Sequence, residues 1–254
     1  MAHIICIANQ KGGVGKTTTA INLAASLAVS ERPTLIVDCD PQGNATTGVG
    51  IDKQAIVNNL YQGLIGEASA ESLICDTDID YLKIIPSLVD LIGFEVEMMA
   101  VRGREMALKN LLEAISPRFE FIILDCPPSL SLLTVNAMSA ATTLLIPLQC
   151  EFYALEGLGQ LIQTMNRIKN GLNPNLDICG IVLTMFDKRT NLSTQVAEEA
   201  EKHFNNLVFT TTVPRNVRLG EAPSFGKPIL LYDANSAGAI SYLNLAGEVI
   251  RRLA

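Results

Sequence analysis

The chain has 254 residues, 48% of them hydrophobic and 18% charged, with a formal net charge of −7. That length and apolar share suit one large α/β domain with a substantial core. No apolar run approaches a membrane span, and the Met1-Ala2-His3 start lacks the basic lead and long apolar stretch of a signal peptide. A cytosolic protein is expected, and its overall charge argues against a global attraction to nucleic acid.

Strands and helices alternate along the chain. Strands are predicted near residues 4–8, 34–38, 82–86, 121–125, 143–147, 178–183 and 208–212. Helical patterns fall near 16–30, 102–116, 131–140, 155–171, 192–205 and 237–253. The stretch 48–80 is the least regular, with short helices expected around 55–64 and 70–73. Alternation of this kind implies parallel βαβ units with right-handed crossovers. Runs such as Phe121-Ile122-Ile123-Leu124 suit strands covered on both faces. The predicted fold is therefore α/β: a three-layer, mostly parallel twisted sheet with helices on both faces, in a single domain over residues 1–254. No repeat, low-complexity segment or linker interrupts it.

The first βα junction reads Asn9-Gln10-Lys11-Gly12-Gly13-Val14-Gly15-Lys16-Thr17-Thr18. A glycine-rich turn between a buried strand and a helix start is a phosphate cradle, because backbone N–H groups close around the oxygens where no Cβ intrudes. Lys16 supplies a charge to the β/γ-phosphates and Thr17 a hydroxyl for magnesium. The standard P-loop has glycine five places before Gly15; this chain has Gln10 there and an extra lysine, Lys11.

In open parallel sheets ligands bind beyond the carboxyl ends of the strands. That rule gathers four junctions into one crevice: the loop after residues 4–8, Asp38-Cys39-Asp40-Pro41, Asp125-Cys126-Pro127-Pro128, and Pro214-Arg215-Asn216. Asp125 ends a hydrophobic strand, where a carboxylate can hold magnesium directly or through water. Alternation along an extended segment puts Asp38 and Asp40 on one side. Two carboxylates there could tune metal ligands and orient water; a turn held by Asp side chains accounts for them as well, and both readings can hold together.

The six cysteines form no CxxC pair, and several sit in or beside buried strands as small hydrophobes. His3 and His203 have no ligand-like spacing. Charge is uneven: residues 1–160 carry 9 Lys/Arg against 18 Asp/Glu, and residues 161–254 carry 10 against 8. Any DNA contact therefore needs a local basic patch.

These motifs together resemble a known family. Lys11 to Thr18 is similar to the deviant Walker A motif of the ParA/MinD ATPases. Asp38-Cys39-Asp40-Pro41-Gln42-Gly43-Asn44, Asp125-Cys126-Pro127-Pro128-Ser129 and Pro214-Arg215-Asn216-Val217-Arg218-Leu219 narrow the resemblance to the chromosomal partition ATPases of the ParA/Soj group, over essentially the whole chain.

The resemblance implies ATP and Mg2+ as cofactors, slow intrinsic ATP hydrolysis, an ATP-dependent homodimer, nonspecific double-stranded DNA as a ligand, a ParB-type partner that stimulates hydrolysis, and a nucleoid-associated cytoplasmic location. It makes Lys11 a signature lysine reaching the partner subunit's phosphates, Lys16 the lysine of its own cradle, and Asp40 the hydrolysis residue. The nucleotide-contacting set is Lys11, Gly12, Gly13, Val14, Gly15, Lys16, Thr17 and Thr18, with Met185, Pro214 and Asn216 against the adenine. Thr17 and Asp125 are the metal positions. Arg189 and Arg218 match DNA-binding positions, and Lys188 and Arg215 join them in the expected patch, with Lys227 and Arg251 as lesser candidates. Asp187, Glu221 and Asp233 are available to neutralise it.

Three rivals follow. A MinD-like membrane-associated cell-division-site ATPase ends in a basic amphipathic helix, whereas the apolar spacing over 245–254 reads as a helix packed on the domain. A nitrogenase-type iron protein needs cluster cysteines between subunits, and only Cys126 invites that reading. A nucleotide-binding regulator without turnover is the third. With the P-loop starting at residue 9, no N-terminal operator-binding extension is expected.

Overall fold

The computed structural model describes residues 2–151 and 154–254. Its centre is a seven-stranded sheet in the order β3-β4-β2-β5-β1-β6-β7. The strands are β1 His3–Ile7, β2 Thr34–Asp38, β3 Cys75–Asp76, β4 Leu82–Ile85, β5 Phe121–Asp125, β6 Thr143–Gln149 and β7 Asp177–Thr184. All pairings are parallel except that of the two-residue edge strand β3 with β4.

Parallel strands need crossovers, and the helices supply them on both faces. They are α1 Lys16–Val29, α2 Asn44–Gly48, α3 Leu60–Leu64, α4 Ile92–Glu97, α5 Ala107–Glu113, α6 Leu132–Ala140, α7 Ala154–Gly171, α8 Asn191–Phe204, α9 Val217–Glu221, α10 Ile229–Tyr232 and α11 Ala237–Leu253. Strand alternation divides the core in two. Cys6, Leu35, Ile122, Leu124, Leu144 and Ile146 face α3 to α8. Ile5, Ile7, Ile36, Ile123 and Leu145 face α1 and α9 to α11. The three-layer arrangement expected from the sequence is the one found. α1 lies between sheet and α11, and Ala20, Ala24, Ala25 and Ala28 let both approach closely.

Several local expectations are corrected. Residues 208–212 are not a strand: Val208 makes a single bridge to Ile181, and Pro214 another to Phe186. Phe209 instead turns its ring across β7, over Gly180, and the Arg252 guanidinium stacks on it at 4.0 Å. Arg252 also donates to the carbonyls of Cys179, Leu207 and Val208. The Glu248 carboxylate accepts from the Thr210 and Thr211 N–H groups, so within 208–212 only Phe209 N–H donates to a β7 carbonyl, that of Ile181. The helix expected at 102–116 is regular only over α5, with 3-10 turns on either side at Arg104–Met106 and Ser116–Arg118. The stretch 55–64 is broken because Asn59 starts a new helix: its side chain accepts from Tyr61 N–H, while Gln62 accepts from Asn59 N–H. Helices α2, α4, α9 and α10 were not anticipated, nor was β3.

All six cysteines are free, five of them buried, and among the described residues no cluster of His, Cys, Asp and Glu could hold a metal ion through three or more ligands. The Cys6 and Cys126 sulfurs lie 3.3 Å apart inside the core. No helix among the described residues is long and apolar enough to cross a membrane.

A Cβ at residue 180 would sit 2.5 Å from the Phe209 ring and 2.9 Å from the Leu207 carbonyl oxygen. Overpacking of that kind costs about 1–3 kcal/mol. Gly180→Ala is expected to lower the denaturant midpoint accordingly, whereas an unchanged midpoint would show that the 207–213 segment yields freely.

Candidate functional site

The loop between β1 and α1 is pinned from three sides. Asn9 donates to the Pro147 carbonyl at 2.8 Å and accepts from Lys11 N–H at 3.0 Å. Thr184, the last residue of β7, donates its hydroxyl proton to the Val14 carbonyl at 2.8 Å. Gly15 caps α1 at φ 87°, a left-handed conformation that a side chain would strain. No acidic residue occupies the first turn of α1, and no side chain caps it. The positive end of a 14-residue helix therefore opens into the loop.

Lys16 is buried, and its ammonium donates to the Lys11 carbonyl at 2.9 Å. Burial lowers its pKa, against the pull of Asp125, the largest opposing charge. Asp125 itself is fully buried, and neither carboxylate oxygen has a hydrogen-bond partner. The Thr17 hydroxyl favours its charged form without completing a hydrogen bond in geometric terms. Burial, then the neighbouring Asp38, pushes the Asp125 pKa well up.

Asp38 lies directly beside Asp125 in the β2–β5 register. It accepts from the Thr46 N–H and hydroxyl at 2.8 and 2.7 Å and from Asp40 N–H at 3.2 Å. Burial nonetheless raises it to about 6. Asp40 is also buried; one oxygen accepts from Gln42 N–H at 2.9 Å, while its carbonyl accepts from Gly43 N–H at 2.8 Å. The turn function of Asp38 and Asp40 is thus realised, and it holds both carboxylates close enough to Asp125 to act on its charge.

Lys11 stands apart from these groups. It is exposed at the rim, and its ammonium pairs with Glu151 just after β6. Glu151 also accepts from the Gln149 amide. Sequence reasoning missed Glu151, which lies 140 positions from Lys11 with no motif to mark it. A pair about as exposed as this contributes roughly 0–1 kcal/mol.

A cavity of about 190 Å³ adjoins the loop, lined among others by Thr18, Met185, Pro214, Asn216 and Tyr242. Met185 turns the chain out of β7 at φ 50°, a strained value for a side-chain-bearing residue. Asn216 uses its side-chain oxygen to cap α9 through Arg218 N–H, which leaves its side-chain amide N–H groups and its backbone for a ligand.

The expected basic patch is divided. Lys188, Arg189 and Arg215 line one groove of about 1150 Å³, together with Arg251 of α11. Arg189 grips Asp187 with two bonds of 2.9 and 2.8 Å and holds its carboxyl down at about 2. Arg218 lies outside that groove, engaged with Glu221 at 3.0 Å and Asp233 at 3.5 Å. Lys227 is exposed and lines neither space.

Fold and loop together define a P-loop NTPase of the deviant Walker A type. The family model described as "AAA domain" matches residues 2–178. The "Chromosome partitioning protein ParA" of Myxococcus xanthus is 54% identical over 252 residues, covering 99% of this chain and 89% of that protein. The "Sporulation initiation inhibitor protein Soj" of Bacillus subtilis is 51% identical over 249 residues, covering 98% of each. Among solved structures, cobyrinic acid a,c-diamide synthase of Mycobacterium smegmatis, with ADP and magnesium or with an ATP analogue and magnesium, is 33% identical at a TM-score of 0.87. It covers 100% of this chain and 96% of its own. The chain belongs to the ParA/Soj family of chromosome-partitioning ATPases.

An unpaired buried carboxylate whose folded pKa is raised stabilises the fold fully only below its unfolded value near 3.8, and that stability is lost as pH rises through the raised value. Asp125→Asn, in EDTA without nucleotide, is therefore expected to be more stable than wild type at pH 8 by about 1–3 kcal/mol. The gap should close on acidification toward pH 4. A gap independent of pH would show that Asp125 carries no buried charge.

Proposed function

We propose that the chain is an ATP-dependent switch that hydrolyses ATP with magnesium, dimerises around the nucleotide and holds DNA nonspecifically while dimeric. The observation that supports it most is the grouping of Lys16, Thr17 and the unpartnered Asp125 at one helix N-terminus, with Lys11 exposed at the rim. Asp125 is a buried carboxylate with no hydrogen-bond partner, and the Thr17 hydroxyl adjoins it. That donor set fits magnesium. When bound, the ion would neutralise charge on the phosphate oxygens.

The chain's own groups divide the work. The loop N–H groups and Lys16 bind the nucleotide's phosphates, for which Lys16 exchanges its bond to the Lys11 carbonyl. Thr18 adds a contact, and the cavity beside Met185, Pro214 and Asn216 takes the base. Asp40 orients water, its second oxygen being free of the turn. Lys11 exchanges Glu151 for the partner subunit's phosphates, supplying a cation in trans where charge accumulates. Turnover stays slow until dimer and ParB-type partner complete the arrangement.

DNA contacts fall in the groove of Lys188, Arg189, Arg215 and Arg251, with Arg218 a separate, already paired cation. Ion pairs this exposed yield readily to phosphate. Contacts to phosphate alone make retention salt-sensitive and independent of base sequence, and two copies in one dimer bind bivalently. The membrane alternative finds less support: α11 turns Leu245, Ala246 and Val249 into the core against α1.

The direct test is DNA retention with ATP, ADP and no nucleotide across a salt series, with retention expected in ATP alone and falling steeply with salt. Asp40→Ala should accumulate an ATP-bound dimer by light scattering; a monomer under ATP would remove the hydrolysis role. Lys11→Ala should bind ATP yet remain monomeric, and an ordinary ATP dimer would end the argument for a lysine acting in trans. Arg189→Glu should dimerise normally but lose at least tenfold in DNA affinity, a loss that unchanged mobility shifts would refute.

A further inference from the structure

Asp40, Pro41, Gln42 and Gly43 form a β-turn, closed by Gly43 N–H donating to the Asp40 carbonyl at 2.8 Å. Aspartate first, proline second and glycine last are residues that such a turn favours. One Asp40 side-chain oxygen accepts from Gln42 N–H at 2.9 Å, so the orientation of that carboxylate depends on the turn. The chain then passes through Gly43 at φ 60° into α2, whose Thr46 holds Asp38.

The weak point of the turn is the peptide between Gln42 and Gly43. Its N–H closes the turn, and its carbonyl faces away from that bond. Glycine accepts either sign of φ, so the torsions of residue 43 alone do not keep this peptide from flipping. A flip would release Gly43 N–H from Asp40. Packing opposes it. The Lys53 ammonium donates to the Gln42 carbonyl at 2.7 Å. The space where a Cβ of residue 43 would stand is filled by the Ser87 carbonyl oxygen at 2.6 Å and by Lys53 Cε and Nζ at 2.8 Å.

Lys53 is delivered by chain that is itself tied down. Ile51 N–H donates to the Thr46 carbonyl at 3.2 Å. Asp52 caps the 3-10 turn Lys53–Ala55 by accepting from Gln54 N–H at 2.9 Å. Among the described residues Lys53 forms no ion pair, and the Gln42 carbonyl is its hydrogen-bond partner. A cation donating to a carbonyl makes a stronger bond than a neutral donor does. Lys53 is half-buried, where a lysine serving only solubility would extend its head into water.

We propose that Lys53 is a positioning residue for ATP hydrolysis: its ammonium latches the Gln42–Gly43 peptide and thereby fixes the Asp40 carboxylate in its turn. Lys53 lies outside the phosphate loop and does not line the cavity that takes the base. Its effect therefore falls on the hydrolytic step and not on nucleotide affinity. That catalytic consequence rests on the proposed role of Asp40; the latch itself does not.

The test uses the full chain with Lys53→Met and Lys53→Arg. Methionine keeps an apolar stem and loses the donor, whereas arginine keeps a cationic donor. Amide exchange at Gly43 is read by NMR without nucleotide, with Leu35 and Ile36 of β2 as the reference for global opening. Lys53→Met is expected to speed Gly43 exchange by about tenfold, the loss of one charge-assisted hydrogen bond, with the reference unchanged. Lys53→Arg should stay near the wild-type rate. With ATP and magnesium, Lys53→Met should lose about tenfold in kcat at an unchanged ATP dissociation constant, and Lys53→Arg should recover most of that loss. Unchanged Gly43 exchange in Lys53→Met, or a rise matched at Leu35 and Ile36, overturns the latch. Weakened ATP binding with kcat intact, or a loss of kcat that arginine does not rescue, overturns the positioning role. So does an unchanged kcat in Lys53→Met where Asp40→Ala is impaired. If Asp40→Ala itself hydrolyses ATP at the wild-type rate, the role given to Asp40 fails, and Gly43 exchange still decides the latch.

Discussion

The architecture turns on a concentration of negative charge that the fold buries and does not pair. Asp125 and Asp38 end adjacent parallel strands side by side, and Asp40 follows two residues later. Desolvating a carboxylate is among the largest unfavourable terms in folding. Here Asp38 is given three donors and Asp125 none, with only the nearby Lys16 and Thr17 favouring its charge. The strands around them are largely apolar on both faces, which is what allows the sheet to carry such a defect. A site of this kind is stabilised by binding, because a cation with its anionic ligand satisfies what the protein leaves open.

The same constraint explains the division of the two lysines. Lys16 is drawn into the core by the carboxylates and rests on the loop's own carbonyl. Lys11 is five residues away yet exposed, held only by Glu151. One is placed by burial inside the loop; the other is held at the surface by a single carboxylate. Two basic residues in one loop thus differ sharply in solvation.

A surplus of cations elsewhere is moderated in the same way. The fold sends Arg189 and Arg218, expected in one patch, to different surroundings and gives each an acidic partner. The groove beside α11 gathers Lys188, Arg189, Arg215 and Arg251 from three separate segments.

The amino-acid sequence by itself determined the layer order and the phosphate loop. Doubly covered strands require unbroken apolar runs, and a glycine cradle at a strand–helix junction requires Gly15, Lys16 and Thr17 in series; both are local patterns. The long helices over 16–29, 154–171 and 237–253 were legible for the same reason. Tertiary structure decided the rest. Residues 208–212 have strand composition, yet Glu248 takes the Thr210 and Thr211 N–H groups, Arg252 the Val208 carbonyl, and Phe209 crosses Gly180. The Lys11–Glu151 pair, the separation of Arg218 from the groove, and the bond from Lys53 to the Gln42 carbonyl depend on which elements become neighbours. Spacing along the chain carries no mark of such contacts, because they form only where packing brings two segments within hydrogen-bond reach.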